Sequence, residues 1–270
     1  MSLLEAILLG IVQGLTEFLP VSSSGHLVLS EYLLKVKFDD ISFEVFLHFG
    51  TFLAVVIFFR HKIWAMFKAV GLRARSIFSG EVCPSNNEDW RLFWLIVVGS
   101  IPAGIAGVSF KDYLERSFSS VTFTAMTLLC TGIVLFLTKF FQPKKEYLGF
   151  GDALWVGLAQ AIAILPGISR SGFTISAGIF SGVKRSKAAE FSFLLSLPAV
   201  LGASLLKLKD VLGHGSLSQE VTTYLIGVVT SFVIGYLAIS ILLNVIKKGK
   251  FQYFGYYCLT VGLLFLIFAR

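Results

Sequence analysis

The sequence predicts an all-α polytopic membrane protein built as an inverted-topology repeat, with six transmembrane helices and two re-entrant helical hairpins. Three observations carry that prediction. Of the 270 residues, 56% are hydrophobic and only 14% charged, whereas ordinary globular chains carry roughly a quarter charged residues. The apolar residues fall in runs approaching the about 20 residues that cross a bilayer. Two stretches 147 positions apart also share polar and turn-forming residues in otherwise apolar surroundings.

Residues 3–34 form the first broken hairpin. Its leading helix stops at Pro20, and Ser22 to Gly25 make a loop that opens the next helix. Phe43–Phe59, Leu92–Phe110 and Val121–Leu137 supply three spans and complete a first repeat over residues 1–147. Residues 153–182 form the second broken hairpin. Phe191–Leu206, Thr223–Ile246 and Tyr253–Ala269 then complete a second repeat over residues 148–270, within one integral membrane domain of residues 1–270. The second arms, Val21–Leu34 and Gly172–Gly182, are short or polar at their start, which favours dipping and returning. Irregular backbone at membrane depth persists only where protein or water satisfies it. A shift of 147 superposes Gly10 on Gly157, Gln13 on Gln160, Ser22 on Ser169, Ser24 on Ser171 and Gly25 on Gly172. Three spans per half is an odd number, so the second half enters from the opposite face. Broken helices of the two halves then meet near the midplane.

The net charge of +7 does not point to nucleic acid, because the basic residues sit between apolar runs instead of forming a stripe. Fifteen of the 23 Lys and Arg residues fall on one side of this topology, from Arg60 and Lys62 to Lys250. Seven fall on the other, and Arg170 is left inside a hairpin. The positive-inside rule puts the richer side in the cytoplasm and both termini outside. Cys83, Cys130 and Cys258 show no disulfide framework or metal spacing. The start Met1-Ser2-Leu3-Leu4-Glu5 lacks the basic region and cleavage site of a signal peptide, so its first apolar segment is expected to stay.

Several residues are expected to serve structure. Gly10-x-x-x-Gly14 and Gly178-x-x-x-Gly182 read as helix-packing faces. Glu44 and Glu190 read as carboxylates at span starts. His48 reads as a hydrogen-bonded packing residue, His61 and His214 as loop residues, and the stretch from about Lys68 to Trp90 as a cytoplasmic connection.

The chemistry gathers in the two hairpin loops. Gln13 and Glu17 are four apart and share a helical face. Ser22, Ser23, Ser24 and Gly25 open the following helix, whose N-terminus offers free N–H groups to an anion, and His26 follows in its first turn. The second loop repeats the design with Ser169, Ser171, Gly172 and Thr174, but carries Arg170 where the first carries Ser23. A guanidinium matches phosphate oxygens bidentately. Glu17 and Arg170 are also ionisable groups inside apolar segments, where charge is costly and most often functional. An inverted-repeat transporter or flippase for an anionic lipid would use the same parts without chemistry.

At these loops the sequence resembles the bacterial undecaprenyl-diphosphate phosphatase family, also called bacitracin-resistance proteins. Gln13-Gly14-Leu15-Thr16-Glu17 matches that family's Glu/Gln-x-x-x-Glu motif. Pro20 to His26 matches its Pro-Val-Ser-Ser segment with the following Gly-His, and Pro166 to Gly172 its Pro-Gly-x-Ser-Arg-Ser-Gly motif. The resemblance implies removal of the terminal phosphate from undecaprenyl diphosphate, which recycles the lipid carrier of cell-wall synthesis in the bacterial cell membrane and confers bacitracin resistance. It implies Glu17 as the acidic motif residue, Ser23 or His26 as nucleophile with the other assisting, and Arg170 as phosphate clamp. Ser22, Ser24, Gly25, Ser169, Ser171, Gly172 and Thr174 would surround the phosphates. A divalent cation, Mg²⁺ or Ca²⁺, would bridge the diphosphate and Glu17, with Gln13 beside it, because hard cations prefer oxygen. The expected partners are a polyprenyl diphosphate and membrane lipids, with entry from the outer face and a homodimer left open. A phosphatidate-phosphatase-like enzyme would need another His soon after Ser169-Arg170, and the next one is His214.

Overall fold

Ser2 and Glu5 start the first helix through a capping box. The Ser2 hydroxyl accepts from the Glu5 N–H at 3.3 Å, and the Glu5 carboxylate accepts from the Ser2 N–H at 2.8 Å. Such reciprocal caps satisfy amides that the helix itself leaves free. The computed structural model describes residues 2–34, 42–79, 88–110, 120–214 and 221–268. They form α1 (Leu3–Phe18), α2 (Ser23–Leu34), α3 (Ser42–Phe58), α4 (Arg60–Ser79), α5 (Glu88–Ser109) and α6 (Val121–Leu137), the last followed by a 3₁₀ turn at Thr138–Phe140. Then come α7 (Phe150–Ile162), α8 (Arg170–Phe180), α9 (Arg185–His214), α10 (Val221–Lys247) and α11 (Tyr253–Phe268).

Three of these are long and apolar enough to cross a membrane: α5, α6 with its 3₁₀ turn, and α10. The pair α3 and α4, bent by 73° at Phe59, makes a fourth if taken as one span. Their outward faces suit lipid. Along α5, Trp94, Val97, Ile101, Ile105 and Val108 are between 37% and 79% exposed. Along α10, Leu225, Val229, Val233, Leu237 and Ile241 are between 46% and 59% exposed. Steps of three and four residues put each set on one face, and an apolar stripe of that length facing water would drive association. Every regular element among the described residues is a helix, and the apolar spans are those of a polytopic membrane protein.

Close packing rests on missing side chains. A Cβ on Gly14 would lie 2.8 Å from Ile234 and 2.9 Å from the Gly235 nitrogen, so α1 lies flush against α10. A Cβ on Gly157 would come within 2.3 Å of the Gly99 carbonyl oxygen, which brings α7 equally close to α5. Phe18 and Phe193 meet edge-on at 5.8 Å within the buried core.

The structure corrects four readings of the sequence. Most of the expected connection from Lys68 is the helix α4, where Met66 and Ala69 are buried while Trp64 and Phe67 face out. Its mixture of basic and apolar residues is amphipathic periodicity that resembles a loop only in composition. His61 accordingly lies on α4, and His214 ends α9. Gly182 is not part of a packing face. It takes φ +78 at a turn where its carbonyl accepts from the Lys144 and Lys145 N–H groups at 2.7 and 3.0 Å. Glu190 sits in the second turn of α9, paired with Lys187 at 3.1 Å, whereas Glu44 does lie in the first turn of α3. Residues 80–87, with Cys83, and Lys35, Lys37, Lys111, Arg116, Ala269 and Arg270 lie outside the described residues.

Candidate active site

The two loops are built alike. After α1, Ser22 takes φ +70 and caps α2: its hydroxyl accepts from the Gly25 N–H at 3.2 Å, and its carbonyl from the His26 N–H at 3.0 Å. After α7, Gly167 takes φ +84 and Ser169 caps α8, accepting from Gly172 at 3.1 Å and from Phe173 at 2.8 Å. Residues 147 apart thus perform the same local task, the preferred use of Ser at a helix start. The loops also touch. A Cβ on Gly25 would lie 3.3 Å from the Gly167 Cα, and one on Gly172 would lie 3.4 Å from Pro20.

Neighbouring helices satisfy the loop carbonyls. From α6, the Thr127 hydroxyl donates to the Pro166 carbonyl, and the Thr131 hydroxyl to that of Gly167 at 3.1 Å. The Ser169 N–H returns a bond to Thr131 at 3.1 Å. From α11, the Cys258 thiol approaches the Pro20 carbonyl at 3.5 Å. Left without a partner in apolar surroundings, such a carbonyl would cost several kcal/mol, roughly, so these side chains support the loop.

Glu17 is the hub, buried at 6% exposure. One carboxylate oxygen accepts from the Ser23 hydroxyl at 2.6 Å and from the Gln13 amide at 2.9 Å. The other accepts from the Arg170 guanidinium. Ser23 and Arg170 are the residues that the 147-residue shift superposes, and each opens its own helix. A carboxylate buried this deeply is tolerable only when paired and hydrogen-bonded.

The remaining predicted residues divide. Ser22 and Ser169 spend their hydroxyls on capping and approach Ser24 and Ser171 at 3.4 and 3.3 Å. Ser171 also reaches across to the Leu19 carbonyl at 3.4 Å. Thr174 is turned from the loop, bonded to the Arg170 carbonyl at 2.7 Å and to Ser192 on α9. The hydrogen bonds of His26 go to the Ser22 carbonyl and the Tyr257 hydroxyl, both at 2.8 Å, and its ring stacks on that of Tyr257 at 5.6 Å. Because a carbonyl only accepts, the His26 proton is on Nδ1 and Nε2 accepts from Tyr257.

Two neighbours escaped the sequence reading. His48, on α3, stands 2.9 Å from Gln13 Nε2 and 3.4 Å from Glu17. Tyr257 holds His26 from 231 positions away. For a cation, no group of three or more His, Cys, Asp and Glu gathers among the described residues. Gln13 Oε1, however, is buried without a hydrogen-bond partner. One carboxylate and one free amide oxygen fit a hard divalent ion whose other ligands come from phosphates and water.

The family model for bacitracin resistance protein BacA matches residues 6–264. The undecaprenyl-diphosphatase of Desulforapulum autotrophicum is 44% identical, over 99% of this chain and 98% of its own. That of Halothermothrix orenii is also 44% identical, over 100% of this chain and 99% of its own. The undecaprenyl-diphosphatase of Methanosphaera stadtmanae is 39% identical, over 100% and 99%. With its two loops joined at one carboxylate and a match along nearly its whole length, the chain belongs to the bacitracin resistance protein BacA family.

Proposed function

We propose that this protein hydrolyses undecaprenyl diphosphate to undecaprenyl phosphate and phosphate in the bacterial cell membrane, recycling the lipid carrier of cell-wall synthesis and conferring bacitracin resistance. The observation that carries this reading is the convergence of Ser23 and Arg170, from loops 147 residues apart, on the carboxylate of Glu17.

In the reaction, Arg170 exchanges Glu17 for phosphate oxygens and neutralises charge as it develops. Ser23 Oγ attacks the terminal phosphorus in line while Glu17 takes its proton, and the bond to the bridging oxygen breaks to release the lipid monophosphate. Water then opens the phosphoserine, and phosphate leaves. A divalent cation, Mg²⁺ or Ca²⁺, held by Glu17 and Gln13, would supply further charge neutralisation on the diphosphate. Ser22, Ser24, Gly25, Ser171 and Gly172 line the approach, and Thr174 with Ser169 fixes the start of α8. His26, turned to Tyr257, is the competing nucleophile.

The proposed architecture is an inverted repeat of residues 1–147 and 148–270, with six spans, two re-entrant hairpins and both termini outside. Supporting it, Gly25 meets Gly167 as Gly172 meets Pro20, a pair of contacts exchanged by the 147-residue shift. The packing of α1 on α10 likewise has its counterpart in α7 on α5.

Phosphate release from undecaprenyl diphosphate by purified protein in detergent tests the function, with Glu17→Ala, Ser23→Ala and Arg170→Ala as comparisons. Turnover in the wild type and its loss in all three, each still folded, is the expected result. Absence of release by folded wild type would favour an anionic-lipid carrier, because transport needs two compartments and hydrolysis does not.

A further inference from the structure

We infer that His48 is a positioning residue for this reaction, acting through Gln13 to hold the Glu17 carboxylate against Ser23. The inference rests on the proposed role of Glu17.

Gln13 alone is a poor guide for a carboxylate. Its side chain has free torsions, and either end of a primary amide can face a neighbour. Facing Glu17, only the nitrogen end is attractive, and Gln13 Nε2 does lie 2.9 Å from Glu17 Oε2. The same nitrogen lies 2.9 Å from His48 Nδ1. An amide nitrogen cannot accept a hydrogen bond, so in this contact His48 Nδ1 carries no proton and receives the second hydrogen of the Gln13 amide. Both hydrogens are thereby spoken for, one by Glu17 and one by His48. A flipped amide would set its oxygen against the carboxylate and against the imidazole lone pair, so the orientation is unique.

The imidazole proton is then on Nε2, the atom 3.7 Å from Glu44 Oε1 one helical turn earlier on α3. At that distance the Glu44 charge favours a proton on Nε2, which leaves Nδ1 as the acceptor. The chain Glu44, His48, Gln13, Glu17, Ser23 runs from the half-buried side of α3 to the hydroxyl proposed to attack. The orientation leaves Gln13 Oε1 buried and without a hydrogen-bond partner. Substrate groups a few tenths of an ångström out of line lose rate steeply, by about a hundredfold for 1 Å, so an anchor two residues removed from the chemistry matters for turnover.

The experiment compares kcat and KM for phosphate release by wild type, His48→Leu and His48→Gln, purified in detergent and checked for a single elution peak and unchanged melting temperature. Leucine keeps the bulk and removes the acceptor; glutamine keeps an acceptor oxygen. His48→Leu is expected to lower kcat by about ten- to hundredfold, with KM within about twofold, and His48→Gln to restore most of it. In a Gln13→Leu background, His48→Leu should cost less than it does alone, because only the 3.4 Å approach of His48 Nδ1 to Glu17 is then left to lose. Should His48→Leu not fold, His48→Met carries the same comparison. Normal kcat in the leucine or methionine variant, an equal loss in His48→Gln, or fully multiplicative effects with Gln13→Leu would each overturn the inference. Glu17→Gln, assayed alongside, separates the two levels. If it stays active, the reading of the site fails; if it is inactive while His48→Leu is normal, only the role of His48 fails.

Discussion

Ser23 Oγ donates to Glu17 at 2.6 Å while Arg170 holds the other oxygen of the same carboxylate. The proposed base, nucleophile and clamp are therefore already joined at one carboxylate, although they come from two separate loops.

Ser23→Ala removes the oxygen proposed to attack and should lower phosphate release by about a thousandfold or more. Glu17→Gln keeps the shape and loses the base, for a drop of about 10²–10⁴. Rapid quench with diphosphate labelled at its terminal phosphate should place the label on Ser23. Label on His26 would transfer the nucleophile's role to the imidazole.

Arg170→Ala should cost stability as well as rate, because it strands a carboxylate at 6% exposure. Removing one partner of a buried pair costs about 3–5 kcal/mol. Adding Glu17→Gln should raise the melting temperature of Arg170→Ala while leaving the enzyme inactive. Arg170→Lys keeps the charge but not the two-pronged geometry, and should fold normally with a large fall in kcat.

Chelation of divalent cations should stop phosphate release, and Mg²⁺ or Ca²⁺ should restore it. Gln13→Leu removes a buried, unpartnered oxygen that is proposed to face the ion, so it should raise the cation concentration needed for half-maximal rate. Titration of activity with each metal reads this out.

Gly157→Ala tests the packing of α7 on α5 separately from chemistry. The added Cβ would stand 2.3 Å from a backbone oxygen that no rotamer change can move. The helices must part, at about 1–3 kcal/mol, and the detergent melting temperature should fall accordingly. Gly151→Ala, with open space around its Cβ, is the control that should melt like wild type.

Much of the site was legible in the sequence, because its logic is local. The four-residue spacing of Gln13 and Glu17 fixes a shared face, Pro20 and Pro166 mark the breaks, and the shift that aligns Ser22 with Ser169 also aligns Ser23 with Arg170. Contacts between distant helices were not legible. His48 lies 35 residues from Gln13, in an apolar run where one imidazole reads as packing. Its spacing of four from Glu44, which repeats that of Gln13 and Glu17, was the available signal. Tyr257 offered none, since its partnership with His26 depends on how α11 lies beside α2. Thr174 misled because a hydroxyl one turn into a helix can bond back to its own backbone.

The ion pair between Glu17 and Arg170 has a consequence for the membrane itself. A lone positive cleft open to lipid would draw small anions and water inward and thin the permeability barrier around the protein. Here the guanidinium proposed as the clamp already faces a carboxylate, an anionic oxygen group like those of a phosphate. In the proposed reaction, a phosphate must therefore displace that carboxylate before Arg170 can bind it.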